Sequence, residues 1–151
     1  MAKKLKIYID TSVVGGCLDG EFRETSVKLM DMFKAGKAIA LLSDLLFLEL
    51  EEAPAPVKQL LQDIPHENTV RLPVTDEMRH LQTLYVRGKV DGPSCGNDAL
   101  HVAVATVEKA DVIVSWNFKH IVHLDKIRGF NAINMREGYG NLVILTPKEV
   151  V

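Results

Sequence analysis

The sequence predicts an α/β fold in which a mostly parallel sheet is covered by helices on both faces. Short apolar runs typical of strands alternate along the chain with longer segments whose apolar residues recur at helical spacing. The run from Val112 to Ser115 is apolar up to its last residue, which is typical of a central strand buried on both faces. In such folds ligands bind outside the carboxyl ends of the strands, so polar residues that follow strands are the first candidates for function.

The first half of the chain predicts three strands and four helices with recognisable ends. Gly36 stands where a helix C-terminal glycine belongs, and Ser43 or Asp44 can cap the next helix. Pro54 and Pro56 break that helix, because proline lacks the backbone donor that a helix needs. The predicted strands cover residues 5–9, 38–42 and 70–74, and the predicted helices cover 22–33, 44–52, 57–64 and 76–86.

The second half predicts one long helix followed by the central strand. Glycine, proline and serine between 88 and 96 indicate a loop, and Asn97 or Asp98 starts an Ala- and Val-rich helix. Gly15 and Gly16 likewise indicate a break in regular structure after the first strand, and Gly138 and Gly140 indicate a loop before the last. The remaining predictions are a helix over 97–109, a strand over 112–115, a short helical piece over 124–128 and a strand over 142–145.

Composition narrows the class of protein. The 151 residues are enough for one domain with a substantial core, and 47% of them are hydrophobic, as in ordinary globular proteins. No apolar stretch approaches the ~20 residues that span a bilayer, and the run after residues 1–4 is too short for a signal-peptide core. We therefore expect a cytoplasmic protein in which Cys17 and Cys95, far apart and without a second pair, are free thiols.

The net charge of −2, from 18 basic and 20 acidic residues, argues against a protein that coats nucleic acid by bulk charge. It leaves room for an enzyme whose acidic site is balanced by a basic rim.

Four separated polar residues lie in or at the end of apolar runs: Asp10, Glu49, Asp98 and Asn117. A carboxylate near a core is costly unless something pairs with it. Three carboxylates that converge repel one another, and a divalent cation removes that repulsion. Mg²⁺ and Mn²⁺ take oxygen ligands and keep waters for phosphate chemistry. The pattern therefore predicts a metal site that acts on phosphate esters.

Each of these acids also has an ordinary structural interpretation. Asp10 can cap a turn or helix, and Asp98 at a helix start complements the helix dipole. Glu49 is flanked by apolar residues, whereas Glu52, its rival as a ligand, leads into the proline-marked end. His101 lies three residues after Asp98 on the same helix face, and an Asp-x-x-His pair can bind metal, although a histidine among apolar residues is more often part of the core.

Asn117 and the residues after it form a second group of candidates. Asn117 is neutral, so it offers hydrogen bonds but no negative charge. Trp116 is a type of residue that stacks on bases, although core packing is its more ordinary role. Basic residues that could contact a phosphate backbone, or simply cover a solvated surface, are Lys119, His120, His123, Lys126 and Arg128, with Arg87 and Lys89 as weaker candidates.

Taken together, four segments resemble the PIN domain, the metal-dependent ribonuclease fold of many prokaryotic toxins of the VapC type. They are 7–12 (Ile-Tyr-Ile-Asp-Thr-Ser), 43–50 with Glu49 near its end, 97–103 (Asn-Asp-Ala-Leu-His-Val-Ala) and 114–117 (Val-Ser-Trp-Asn). Each motif alone is weak, but the set follows the order of the family along nearly the whole chain. The resemblance implies one PIN-like domain over residues 1–151, with three layers, α/β/α, around a central parallel sheet.

The resemblance also implies an activity. Mg²⁺ or Mn²⁺ would be held by the catalytic acids Asp10, Glu49 and Asp98, with Thr11 and Ser12 orienting the carboxylates by hydrogen bonds. In the chemistry of the family, a metal-activated water cleaves an RNA phosphodiester. The resemblance further implies a homodimer and a small antitoxin partner, as in type II toxin–antitoxin pairs.

Asn117 is a departure from the family pattern, because many PIN nucleases carry an aspartate there. The loss of one negative charge should weaken the binding of a second metal ion. One alternative is therefore a degenerate PIN domain that binds RNA or a protein partner without cleavage, although the Ser-Trp-Asn-Phe-Lys-His-Ile run also resembles a PIN subgroup that has this asparagine. A small-molecule phosphohydrolase is a weaker alternative, since Asp10-Thr11-Ser12 lacks the Asp-x-Asp signature of phosphoaspartate enzymes.

Overall fold

The structure is a computed structural model that describes residues 3–151; Met1 and Ala2, which belong to the predicted lead into the first strand, lie outside the described residues. Within that range five strands form one parallel sheet: β1 (Leu5–Ile9), β2 (Ala38–Ser43), β3 (Thr69–Leu72), β4 (Val112–Val114) and β5 (Ile144–Leu145). The strand order is β3-β2-β1-β4-β5, so β1 lies at the centre. This confirms the predicted α/β class.

Seven helices cover the two faces of the sheet: α1 (Thr11–Gly16), α2 (Arg23–Lys34), α3 (Asp44–Glu49), α4 (Ala55–Gln62), α5 (Asp76–Arg87), α6 (Gly96–Val107) and α7 (Leu124–Arg136). Alternation along β1 divides the core, because successive strand residues point to opposite faces. Tyr8 belongs to the core beneath α5, α6 and α7, whereas Ile7 and Ile9 belong to the core beneath α1, α2 and α4. Within residues 3–151, no helix is both long and apolar enough to cross a membrane.

The local signals in the sequence account for several of the observed ends. The side chain of Ser43 accepts a hydrogen bond from the backbone of Leu46 and caps α3, and Thr75 caps α5. Gly36 has φ +72°, the left-handed conformation that ends α2 and favours glycine. The helix predicted over 44–52 ends at Glu49, with Glu52 in an exposed turn.

Two helices differ most from the sequence prediction, and each contains a glycine in its interior or last turn. Helix α1 was not predicted, because Gly15 and Gly16 indicated a break; a side chain at Gly16 would instead meet Trp116 and the Ser26 hydroxyl, so this glycine permits close packing. Helix α7 continues to Arg136 rather than ending at residue 128. At Gly129 an added Cβ would lie 2.9 Å from Val90, so that glycine also serves close packing within a helix.

Candidate active site

Asp10 lies directly after β1 and its side chain caps α1. Its Oδ1 accepts hydrogen bonds from the Ser12 hydroxyl at 2.6 Å and the Val13 amide at 3.3 Å, while Oδ2 accepts from the Ser115 hydroxyl at 2.6 Å. Asp10 is 3% exposed. The donors come from α1 and from the residue that follows β4, so the parallel strands that end side by side fix the orientation of this carboxylate.

Glu49 is the last residue of α3 and lies on the same edge of the sheet. Its Oε1 accepts hydrogen bonds from the Thr11 hydroxyl at 2.7 Å and from His101 Nε2 at 2.5 Å. Its Oε2 has only a long contact of 3.5 Å with the Asn97 amide. Because Oε2 is weakly engaged and the side chain is a quarter exposed, Glu49 retains a free face toward solvent.

His101 lies between the core and this group of acids. Its Nε2 donates to Glu49, since a carboxylate only accepts, and its Nδ1 contacts the Tyr8 hydroxyl at 2.5 Å. The Tyr8 hydroxyl in turn contacts Ser43 Oγ at 2.9 Å. His101 is 2% exposed, so it is a core histidine, as its apolar neighbours indicated, and at the same time a partner of the site. The i,i+3 spacing from Asp98 indicated a candidate metal ligand at this position; in the structure the His101 side chain contacts Glu49.

Asp98 and Asn117 are partly exposed and adjacent. Asp98 lies in the first turn of α6, and Asn117 opposes the rise in its pKa that burial causes. The Oδ1 atom of Asn117 accepts from the backbone amide of His120 at 2.9 Å, and the backbone amide of Asn117 donates to the Ser115 hydroxyl at 2.9 Å. The neutral side chain of Asn117 therefore caps the turn that follows it and adds no negative charge beside Asp98.

The three acids experience different environments. Burial raises the pKa of Asp10, although the charge of His101 and the hydroxyls of Ser115 and Ser12 oppose that effect. Burial also raises the pKa of Asp98, with His120 and His101 opposing it. At Glu49 burial acts in the same direction, but the His101 and Thr11 hydrogen bonds outweigh it and lower the pKa. His101 thus contacts Glu49 directly and favours the charged form of Asp10 and Asp98 from a greater distance.

The donor set of this site fits a hard divalent cation. Carboxylate oxygens are the ligands that Mg²⁺ and Mn²⁺ prefer, and Asp10, Glu49 and Asp98 supply them on one edge of the sheet. Within residues 3–151, however, these acids do not bring three donor atoms within 4.8 Å of one another. A cation held by all three would therefore draw Glu49 and Asp98 inward, while Asp10 is already fixed by its donors.

The other predicted site residues fall into two groups. Lys119 and Arg87 are exposed, as an RNA contact requires. His120 is only partly exposed and faces Asp91 and Cys95 rather than open solvent. Trp116 stacks on Phe22 with ring centroids 4.3 Å apart, and its indole nitrogen donates to Ser26, so it is a packing residue.

Similar proteins were found through their structures only. No family model matches the sequence, and no curated protein sequence matches it. Of the solved structures, VapC20 of Mycobacterium tuberculosis, described as a sarcin–ricin loop cleaving toxin, has a TM-score of 0.57 at 14% identity, over 90% of this chain and 98% of that chain.

Two further structures have the same fold. VapBC2 of Rickettsia felis, bound to a DNA fragment from its promoter, has a TM-score of 0.54 at 13% identity over 93% of this chain and 97% of that one. FitAcB of Neisseria gonorrhoeae has a TM-score of 0.55 at 13% identity over 94% of this chain and 98% of that one. The likeness covers the five-stranded sheet and its helices, as the motif resemblance predicted. The chain therefore has the PIN-like fold of the VapC-type toxins.

Proposed function

We propose that this protein is a Mg²⁺- or Mn²⁺-dependent endoribonuclease and the toxin of a type II toxin–antitoxin pair. The observation that carries the proposal is the arrangement of Asp10, Glu49 and Asp98 around His101 at the carboxyl edge of the sheet. Ligands bind at that edge in open parallel sheets. The likeness to VapC20, described as a sarcin–ricin loop cleaving toxin, supports this choice among the many activities that α/β folds carry.

In the proposed site Asp10, Glu49 and Asp98 hold the cation, and their neighbours orient them. Ser12 and Ser115 each donate a hydrogen bond to a different oxygen of Asp10. Thr11 and His101 both donate to Oε1 of Glu49, which leaves Oε2 free for a ligand. The bound cation would stabilise the charge that develops on an RNA phosphodiester and lower the pKa of the attacking water.

RNA would reach this site across a surface that carries Lys119, with Arg87 and His120 as weaker contacts. These residues would bind the phosphate backbone and fix its position without reading its sequence. A homodimer and a small antitoxin that covers the acidic mouth are the partners we propose by resemblance. The cytoplasm, where RNA is available, is the compartment we propose.

Asn117 favours a second candidate function, a PIN-like domain that binds RNA or a protein without cutting it. Its Oδ1 accepts from the His120 backbone amide, and its neutral side chain stands where many PIN nucleases carry an aspartate, so no fourth negative charge is added to the site. If this candidate is correct, the purified protein binds RNA without cleaving it, and Asn117→Asp is the substitution that could introduce metal-dependent cleavage.

The test is RNA cleavage by the purified protein, separated from any partner, in Mg²⁺, in Mn²⁺ and in EDTA. Single-stranded and structured RNAs should both be offered, since proteins read RNA mainly in loops and unpaired segments. We expect metal-dependent cleavage that falls about a hundredfold or more in Glu49→Gln, because several kcal/mol of charge stabilisation are lost with a ligand.

The matched control is Glu52→Gln, an exposed glutamate three residues away, which should cleave at the wild-type rate. Circular dichroism should show that both variants fold. Cleavage that persists in EDTA, or equal rates in Glu49→Gln and Glu52→Gln, would contradict the proposal. Absence of cleavage together with retained RNA binding would instead support the second candidate.

A further inference from the structure

A second group of ligand-type side chains lies beside the acid site and contains none of its three acids. Asp91 and Cys95 belong to the segment that joins α5 to α6, and His120 belongs to the segment that follows β4. One donor atom from each lies within 4.8 Å of the other two. Within residues 3–151, no other group of three or more His, Cys, Asp or Glu side chains brings its donor atoms this close together.

Asp91 is the unusual member, because its carboxylate is buried without hydrogen bonds. The residue is 1% exposed, and its two oxygens are the buried side-chain polar atoms that lack a hydrogen-bond partner in the described part of the chain. Native proteins leave few such groups, since a buried carboxylate without donors is costly. Its polar contacts are ion pairs of Oδ1 with Lys126 Nζ at 3.4 Å and with His120 Nδ1 at 3.5 Å.

Lys126 does not complete the environment of Asp91. Its ammonium group donates to the Val90 carbonyl oxygen, and its distance to Oδ1 is longer than a charge-assisted hydrogen bond of about 2.8 Å. Oδ2 has no ion pair at all within the residues that the structure describes. One oxygen of a fully buried carboxylate therefore remains available, and it belongs to the same group as a thiol and an imidazole.

Two of the three separations in this group are those of ligands around a tetrahedral ion. The sulfur of Cys95 lies 3.4 Å from each ring nitrogen of His120, and His120 Nδ1 lies 3.5 Å from Asp91 Oδ1. The third separation, between Cys95 and Asp91, is within 4.8 Å. Zinc binds sulfur at about 2.3 Å and nitrogen or oxygen at about 2.1 Å, which puts tetrahedral ligands about 3.5 Å apart.

We propose that Asp91, Cys95 and His120 form a binding site for a zinc-type divalent cation, with the fourth position open to water. A donor set of one thiolate, one imidazole and one carboxylate selects borderline-soft ions over Mg²⁺. On binding, the thiol of Cys95 loses its proton to solvent and a metal–sulfur bond forms, with no change of oxidation state. The doubly charged ion is then balanced by one thiolate and one carboxylate.

Such a site would join two segments that flank the acid site. Cys95 immediately precedes α6, which carries Asp98 in its first turn, and the backbone amide of His120 donates a hydrogen bond to Asn117 Oδ1. The cation would hold these two segments together. This site does not depend on the proposed nuclease function, because its ligands are different and its occupancy can be measured without RNA.

Cobalt is a suitable probe, because Co²⁺ replaces zinc in tetrahedral sites and a cobalt–thiolate bond gives an intense near-ultraviolet absorption that oxygen ligands do not give. Protein stripped with EDTA should be titrated with Co²⁺ under reducing conditions, and the bound cobalt then displaced with Zn²⁺. We expect the thiolate band to saturate at one equivalent, to disappear in Cys95→Ala, and to need more than about tenfold higher Co²⁺ in His120→Ala.

Two matched variants separate this site from other metal binding. Cys17→Ala removes the other cysteine, which is buried in the opposite core, and His80→Ala removes an exposed histidine; both should keep the band. Asp98→Asn should also keep it, since that substitution affects only the acid site. A wild-type protein without a thiolate band, or a band that survives Cys95→Ala, would overturn the proposal. If a variant fails to fold, native mass spectrometry of the wild-type protein with and without Zn²⁺ gives the stoichiometry directly, and absence of a bound ion would again overturn it.

Discussion

Asp10 and Asp91 are equally buried carboxylates that the fold treats in opposite ways. Asp10, 3% exposed, accepts three hydrogen bonds from two hydroxyls and a backbone amide. Asp91, 1% exposed, accepts none and has two ion pairs at 3.4 and 3.5 Å. Burial raises the pKa of both; at Asp10 His101 and neutral hydrogen-bond donors oppose that rise, whereas at Asp91 the opposing groups are Lys126 and His120.

The difference shows two ways to keep a charge inside a protein. Dipolar donors such as Ser12 and Ser115 fix the direction of a carboxylate as well as its charge, so Asp10 is oriented in advance of any ligand. Cations at 3.4 Å or more compensate the charge of Asp91 but leave its oxygens unbonded. A carboxylate of the first kind is prepared for a defined geometry, and one of the second kind remains open to a further ligand.

Removal of one donor from Asp10 should have the largest effect on stability. In Ser115→Ala, Asp10 Oδ2 loses its hydrogen bond, and the backbone amide of Asn117 loses its acceptor. Because the bond is to a buried charged group, we expect the free energy of unfolding to fall by about 1.5–3 kcal/mol at neutral pH, measured by urea unfolding in EDTA. The control is Ser94→Ala, an exposed serine whose hydroxyl contacts only the Cys95 sulfur at 3.8 Å. Equal stability of the two variants would break the comparison between Asp10 and Asp91.

Much of the framework around Asp10 could be predicted from sequence because its signals are local. The strand runs alternate with amphipathic segments, Ser43 and Thr75 are ordinary caps, and the rule that parallel strands end on one edge was enough to expect Asp10 near the end of β4. Helix α7 was missed beyond residue 128 because Gly129 resembles a stop signal, while its actual role, contact with Val90, depends on tertiary packing.

The side-chain environment of both acids could not be predicted in the same way. Ser115 is 105 residues from Asp10, and a serine at the end of a strand has many possible partners. Asp91 lies in a segment rich in glycine and proline, where sequence indicates only a loop, and His120 reaches it from 29 residues later. His101 resembled a core histidine because it is one, and its contact with Glu49 follows only from the way α6 packs over β1.

Neutralisation of Asp91 should change the free energy of unfolding less than Ser115→Ala does, and in the opposite direction. In Asp91→Asn the protein loses two ion pairs but no longer buries a charge without hydrogen bonds. We expect the free energy of unfolding in EDTA to stay the same or to rise by about 1 kcal/mol, because a buried charge is removed and the partners left behind, Lys126 and His120, are about a quarter exposed to solvent.

Added Zn²⁺ should make the wild-type protein more stable to unfolding than Asp91→Asn. At a concentration about 100-fold above its dissociation constant, a ligand that binds only the folded state adds roughly 2.7 kcal/mol to wild-type stability. The Asp91→Asn variant, which lacks one ligand, should gain less. If Asp91→Asn is strongly destabilised in EDTA, the ion pairs with Lys126 and His120 already satisfy Asp91, and the contrast with Asp10 disappears.

Glu49 accepts hydrogen bonds, as Asp10 does, but through one oxygen, and keeps the other nearly free, as Asp91 does. Its substitution should have the smallest effect on the free energy of unfolding, and that effect should depend on pH. Its hydrogen bonds from His101 and Thr11 lower its pKa below the ordinary value of 4.5, although burial opposes them. A group with a lowered folded-state pKa contributes stability that is present above the ordinary value and is lost as the pH falls through the folded-state value. The stability difference between wild type and Glu49→Gln, measured in EDTA, should therefore shrink as the pH is lowered below 4.5.

We expect this difference to stay below about 1 kcal/mol, because a quarter of the Glu49 side chain is exposed and solvent screens the interaction. Asp10 and Asp98 have raised pKa values, so their contributions are lost as the pH rises; they are present in both proteins and largely cancel in the difference. Glu52→Gln, at an exposed position, should follow the wild-type curve. A difference that grows toward acid would mean that burial dominates at Glu49 as it does at Asp91, and that the His101 hydrogen bond does not hold this carboxylate ready for a cation.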